Sequence, residues 1–375
     1  MNRKKKKTRL QLAQDEAQQA INRTNDRIEE LGKYTSSLYA ELNDIQELFD
    51  KIRNVPNEKR LKYKELKEIR LNWKQQADKI EKDYKDAAVK NAGTGVAGAS
   101  VGVAVVTMGP TVAMGVATTF GVASTGTAIS TLSGAAATNA ALAWLGGGAL
   151  AAGGGGMVAG EAFLALAGPV GWAIAGVALI TSGIFFWKSK SDKKHIEDVF
   201  TLISNRDAKS YDLAVVELNE RITRIADEGE KLKNAIENVE TFGLDYNKMT
   251  EAQQYELGTY VNLMLSSTQL LVNPIKGLQP KYAEEDFDRF LVWSDKMSES
   301  KLCLKHKTLI IFLSNFLYKI NLNDRDKKLL WKSLRKNKEM LKSMNVTKRE
   351  FRISIINAVC EALNYKYFSN NATTE

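Results

Sequence analysis

Gly146-Gly147-Gly148-Ala149-Leu150-Ala151-Ala152-Gly153-Gly154-Gly155-Gly156 lies inside a longer stretch, Asn91 to Trp187, that contains no Lys, Arg, Asp or His. Its only formal charge is Glu161. A bilayer-spanning helix needs about 20 mostly apolar residues, so this length suffices for roughly two to four spans. Charged residues normally make up about a quarter of a globular domain, and a near charge-free run of this length is foreign to one. The block therefore predicts a membrane-embedded or membrane-inserting segment.

The kind of apolarity qualifies that reading. Strong membrane formers gather late, in Phe163-Leu164-Ala165-Leu166 and from Ile174 to Trp187. Earlier positions are Ala, Gly and Thr, which partition weakly into lipid. What they offer is close approach. Gly148, Ala152, Gly156 and Gly160 recur every fourth residue, and Gly98 and Gly102 form another such pair. A stripe of small residues on one helix face lets backbones pack at short range. These six positions are the predicted packing face, a glycine zipper within a homo-oligomer. Glu161 is costly at a bilayer centre. It reads either as a turn at the interface or as a pore-lining carboxylate that favours cations.

Outward from the block the chain is densely charged and helical in pattern. From Leu10 to Ile52, Leu31, Leu38, Ile45 and Ile52 fall on one heptad position, and Ile21, Ile28, Leu42 and Phe49 on the other. Thr24 and Thr35 are the weak places. A seam of this spacing predicts a long helix packed against other long helices. Asn54-Val55-Pro56-Asn57 breaks it. A second helix is expected over 58–90, antiparallel to the first because the connection is short. Beyond the block, the pattern predicts a short helix near 196–203, then a long one from Tyr211 to Phe242 with Gly229 as the gap in its seam. Thr250-Glu251-Ala252-Gln253 has capping-box spacing. Further helices are expected near 284–296, 303–320, 324–344 and 348–367. No strand pattern of any length appears.

The formal charge of +9 is unevenly placed. By segment it is about +6 over 1–90, about −6 over 188–300 and about +10 over 301–375. The basic C-terminal part suits an anionic partner, or the acidic segment before it. Lys327, Lys328, Lys332, Arg335, Lys336, Arg349 and Arg352 form the candidate anion-binding face, for anionic lipid or an oligonucleotide. The cysteines, Cys303 and Cys360, have neither metal nor redox spacing, which predicts a reducing compartment. The basic N-terminus lacks a following apolar run, so a secretory signal is not expected.

Catalytic signatures match only by letter. Gly93-Thr94-Gly95-Val96-Ala97-Gly98 spells a dinucleotide fingerprint but follows a charged helix, where the motif needs a strand. Gly98-Ala99-Ser100-Val101-Gly102 spells a nucleophile elbow, yet the only histidines, His195 and His306, lie far off in charged surroundings. No enzyme, cofactor or metal site is predicted.

In layout, with long helices at Leu10–Lys90 and Tyr211–Phe242 flanking the Gly/Ala-rich Asn91–Trp187, the chain resembles helical pore-forming proteins of the cytolysin A and haemolysin BL type. That resemblance implies a hydrophobic element released on oligomerisation. The block is much longer than theirs, and without a secretory signal the layout looks more like the membrane effectors of bacterial antiviral, abortive-infection systems. The expectation is an all-α chain: a coiled-coil-like hairpin over 1–90, a multi-span transmembrane block over 91–187, a third long helix in 188–245, and a small basic helical domain over 246–375. Its expected role is an oligomeric ion channel or pore in the bacterial inner membrane, with cytoplasmic termini. The alternatives are a membrane-anchored coiled-coil scaffold and an oligonucleotide- or lipid-sensing regulator.

Overall fold

The computed structural model describes residues 7–71, 188–273, 281–294, 300–336 and 346–369, together with 275, 277 and 341. Among these residues the fold is all helical, and the only β-type pairing is an isolated bridge between Arg53 and Asp245. Helix α1 (Arg9–Lys51) opens on a reciprocal capping box between Thr8 and Gln11. It ends where Ile52 turns extended and Asn54 takes a left-handed φ of 61°. Leu10, Ala13, Ala17, Ala20, Thr24, Leu31, Thr35, Leu38, Leu42, Ile45 and Phe49 are buried at alternating three- and four-residue steps. That periodicity keeps one narrow face turned inward. The two threonines belong to the seam itself. Thr24 turns its hydroxyl back to Ala20 O at 2.9 Å, a local bond that makes a hydroxyl tolerable in a helix interior.

A second helix, α2, is described over 57–71. It runs back along α1. Tyr63 packs edge-on to Phe49, Lys67 pairs with Asp50 and Arg70 reaches Gln46 at 2.7 Å. Helix α3 (Lys190–Glu240) is continuous over 51 residues and is capped by Ser189. The break expected between 203 and 211 is absent, because Ser204, Asp207 and Ala208, polar or small to the eye, are buried there.

Helices α1 and α3 lie parallel. Arg23 pairs with Asp212 near one end, Glu41 meets Lys233 further along, and Arg53 N donates to Leu244 O beyond the other end. Helix α4 (Glu251–Val272), with its own Thr250–Gln253 capping box, returns antiparallel to α3. Asn238 donates to Tyr260 Oη, Ser266 donates to Glu228, and Arg221 donates to Leu270 O. The four helices enclose one apolar core. Arg70 is 1 % exposed in its midst, hydrogen-bonded to Gln46 and Thr268. Burial pushes its guanidinium down to about 10, with Tyr39 and Asp50 acting in the opposite sense.

The second core belongs to the C-terminal helices α5 (Glu284–Ser294), α6 (Ser300–Lys305), α7 (Lys307–Leu317), α8 (Asp324–Leu334) and α9 (Ile353–Ser369). All residues of α7 from Leu309 to Leu317 are buried, so this helix is the axis of the domain. Ile196, Val199, Phe200 and Ile203 of α3, with Leu10 ahead of the bundle core, complete the same cluster. The domain is thus built on the first turns of α3. These helices are shorter than the sequence pattern suggests. His306 interrupts the 303–320 run, Lys319 turns left-handed at φ 55°, and α9 starts at Ile353.

No helix among the described residues is long and apolar enough to cross a membrane. This overturns the expected transmembrane, ion-channel and pore-forming character, and with it the inner-membrane location. The physical reason is a mismatch of length and polarity. Helices α1 and α3 have the length but carry charges throughout, while α7 is apolar but only 11 residues, about 16 Å, long. The glycine-rich block, with Gly98, Gly102, Gly148, Ala152, Gly156, Gly160 and Glu161, lies outside the described residues.

Candidate polyanion-binding face

Helix α8 is set by its ends. Asn323 and Asp326 form a capping box, Asp324 and Asp326 sit in the first turn, and Lys332 sits in the last, all in the sense that complements the helix dipole. Asp326, Leu329, Leu330, Ser333 and Leu334 are buried against the domain core. Lys328, Lys332, Arg335 and Lys336 therefore share the outward side, in a row about 12 Å long from Lys328 to Lys336.

A second basic segment is fastened to this row. Arg335 Nε donates to Lys348 O at 2.9 Å, and Trp331 Nε1 donates to Phe351 O at 2.9 Å. The Arg335 guanidinium also lies 5.1 Å from the Trp331 ring centroid. Buried Val346 and Phe351 anchor the segment, and its turn is locked from below. Thr347 and Glu350 bond each other reciprocally, and Lys305 Nζ meets Glu350 Oε1 at 2.8 Å. Lys305, then the Thr347 hydroxyl and amide, hold the Glu350 carboxyl down to about 2. Lys348, Arg349 and Arg352 are exposed on this clamped turn.

What distinguishes four members of the face is the lack of an ion pair. Elsewhere in the domain Lys305, Lys307, Arg325 and Lys366 all have carboxylate partners. Among the described residues Lys328, Lys348, Arg349 and Arg352 form no ion pair. Arg352 also immediately precedes the first residue of α9, a helix with no acidic residue in its first turn. A cation beside the positive end of a helix is unfavourable by a few tenths of a kcal/mol or more. An anion bound there would relieve both the repulsion and the dipole.

Of the seven predicted face residues, Lys328, Lys332, Arg335 and Lys336 lie on α8 and the turn that follows it, Arg349 and Arg352 lie on the segment that Trp331 and Arg335 fasten to it, and Lys327 is turned to Asp324. Lys327 is half-buried, pairs with Asp324 at 3.3 Å and acts on the Cys360 thiol. Burial raises that thiol and Lys327 opposes the rise. Sequence reasoning missed Trp331 and Glu350 as the framework of the face. The Thr347-Lys348-Arg349-Glu350 spacing carried a signal, since it spells a capping box.

At the other end of α8, Arg325 ties the domain to α3. It donates to Asp192 at 2.7 Å and to Ser191 at 3.0 Å, and its Nη1 lies 3.3 Å from His195 Nε2. His195 Nδ1 is 3.2 Å from Asp326 Oδ1. Among the described residues no His, Cys, Asp and Glu set of three is placed to hold a metal ion. Cys303 and Cys360 are both free thiols. Compared with protein-family models, with curated proteins and with solved structures, the chain matches none.

Proposed function

We propose that this chain is a non-catalytic helical adaptor that binds the phosphates of nucleic acid through the face formed by α8 and residues 348–352. The bundle of α1, α2, α3 and α4, with coiled-coil packing of α1 on α3, acts as the strut that carries the face. One observation supports this reading above the rest: Lys328 on α8, and Lys348, Arg349 and Arg352 on the segment fastened to it, are exposed and form no ion pair among the described residues, whereas Lys305, Lys307, Arg325 and Lys366 of the same domain do. Clustered lysines and arginines of this kind bind polyanions through counterion release.

An anionic membrane is the competing partner. Surfaces that settle on lipid combine basic residues with exposed apolar side chains that enter the interface. Among the described residues, the exposed large hydrophobics include none from 324–352. The test uses the full chain, with labelled oligonucleotides in one arm and phosphatidylserine vesicles in the other. Oligonucleotide binding should weaken at least about tenfold in the K328E/K348E/R349E variant, as expected when several phosphate contacts are lost. Those side chains are exposed, so the fold should survive the change. Equal binding by parent and variant, or capture by vesicles alone, overturns the proposal.

A further inference from the structure

We infer that the partner is a nucleic-acid duplex, held by its backbone without sequence readout; this rests on the polyanion reading above. Binding to single strands depends on aromatic platforms on which unpaired bases stack. Among the described residues the face presents none. Phe351 is buried, and Trp331 is half-buried, its indole N–H is committed to Phe351 O, and the Arg335 guanidinium lies over its ring. Trp331 is part of the framework and is not offered to a ligand.

Readout of base edges needs side chains that discriminate donors from acceptors, chiefly Asn, Gln and freely presented Arg. Here the outward positions of α8 are mostly lysines, flexible point charges that suit phosphates. Of the arginines, Arg335 already spends its Nε on Lys348 O, while Arg349 and Arg352 are exposed but lie on the turn and link before α9, which is neither the helix nor the β-ribbon that the major groove admits.

What the face does offer is a fixed array. Two cationic rows, one on α8 and one on 348–352, are joined by two hydrogen bonds and braced by the Glu350 clamp. A duplex carries about one charge per 1.7 Å of axis on two strands, so a row about 12 Å long faces roughly seven phosphate charges. The backbone that carries these cations is held in place, and it meets a ladder of charge that a duplex already has ordered. A single strand would have to be ordered first.

Fluorescence anisotropy on the full-length chain decides the matter. It would use a labelled duplex of about 20 base pairs, a second duplex of scrambled sequence, and the separated strands, each titrated across a range of salt. The two duplexes should bind within about threefold of each other and at least about tenfold more tightly than the strands. If the four unpaired cations each neutralise one phosphate, log K should fall with log salt at a slope of about −4, and the K348E/R349E variant should make it shallower, about −2. Tighter binding to single strands, or a preference above about tenfold between duplex sequences, overturns this inference while leaving polyanion binding intact. Binding to none of the nucleic acids overturns both.

Discussion

Gly229 occupies the middle of a 51-residue helix, where glycine costs about 1 kcal/mol relative to alanine. Its neighbour explains why it is there. A Cβ added at Gly229 would lie 2.6 Å from Glu41 Oε2, so the missing side chain is the space that holds the buried Glu41 carboxylate. Glu41 Oε1 in turn accepts from Ser37 and meets Lys233 at 3.3 Å. A double-mutant cycle should therefore show that the effect of G229A depends on Glu41. G229A in the parent displaces Glu41 and should be neutral or destabilising. In the E41A background the same change should stabilise by up to about 1 kcal/mol, its unopposed helix-propensity gain. Chemical denaturation of the four proteins measures this, and an equal effect of G229A in both backgrounds would refute the contact.

Elements differ in how far the sequence announces them. The α1 seam is legible because Leu31, Leu38, Leu42, Ile45 and Phe49 alone define the period. The continuity of α3 is not. Ser204-Asn205-Arg206-Asp207 reads as a break, yet Ser204 and Asp207 are buried there and Arg206 reaches the carbonyls at the end of α7. Nor does any local signal say that α1 and α3 run parallel, since their pairing joins residues about 190 apart, as in Arg23 with Asp212. For the candidate face, charge alone drew attention to its basic residues. The bonds that join its two rows are contacts between elements, beyond any spacing rule.

The Glu350 clamp is an element-scale device with a pH signature. Its carboxyl is held at about 2, below the usual carboxylate range, by Lys305 first and Thr347 next. A depressed carboxyl contributes stability that is present above its unfolded value and is lost as pH falls toward the folded one. The 347–351 turn should thus loosen as pH falls from about 4.5 toward 2. Amide exchange in that turn should report the loosening in the parent and much less of it in E350Q, where nothing titrates. Identical acid profiles for the two proteins would exclude the clamp.

At the scale of the molecule, two cores share one helix. Ile203 belongs to the C-terminal cluster and Ala208 to the bundle cluster, so residues 204–207 of α3 form the junction. Arg206 fastens it. Its Nη1 donates to Phe316 O at 3.1 Å and also to Tyr318 O, satisfying carbonyls at the end of α7. Its Nε and Nη2 hold Asp207 at 2.9 and 2.7 Å. Burial raises the Asp207 carboxyl, and Arg206 opposes that rise by charge and by hydrogen bonding.

Replacing Arg206 by Ala would leave a carboxylate buried and alone, with α7 carbonyls unpaired. Breaking a buried pair in this way costs about 3–5 kcal/mol. The sign with pH follows from linkage. A carboxyl raised in the folded state binds more protons folded than unfolded, so its stability is present at low pH and declines as pH rises through the folded value. Without Arg206 the rise is larger, and R206A should lose more stability relative to the parent at pH 8 than at pH 5. The R206M/D207N double variant, which removes both charges, should recover much of the loss and lack this pH dependence. Urea denaturation at the two pH values, read by tryptophan fluorescence, provides the measurement. A deficit in R206A that is the same at both values would mean that Asp207 is not the charge left unpaired at the junction.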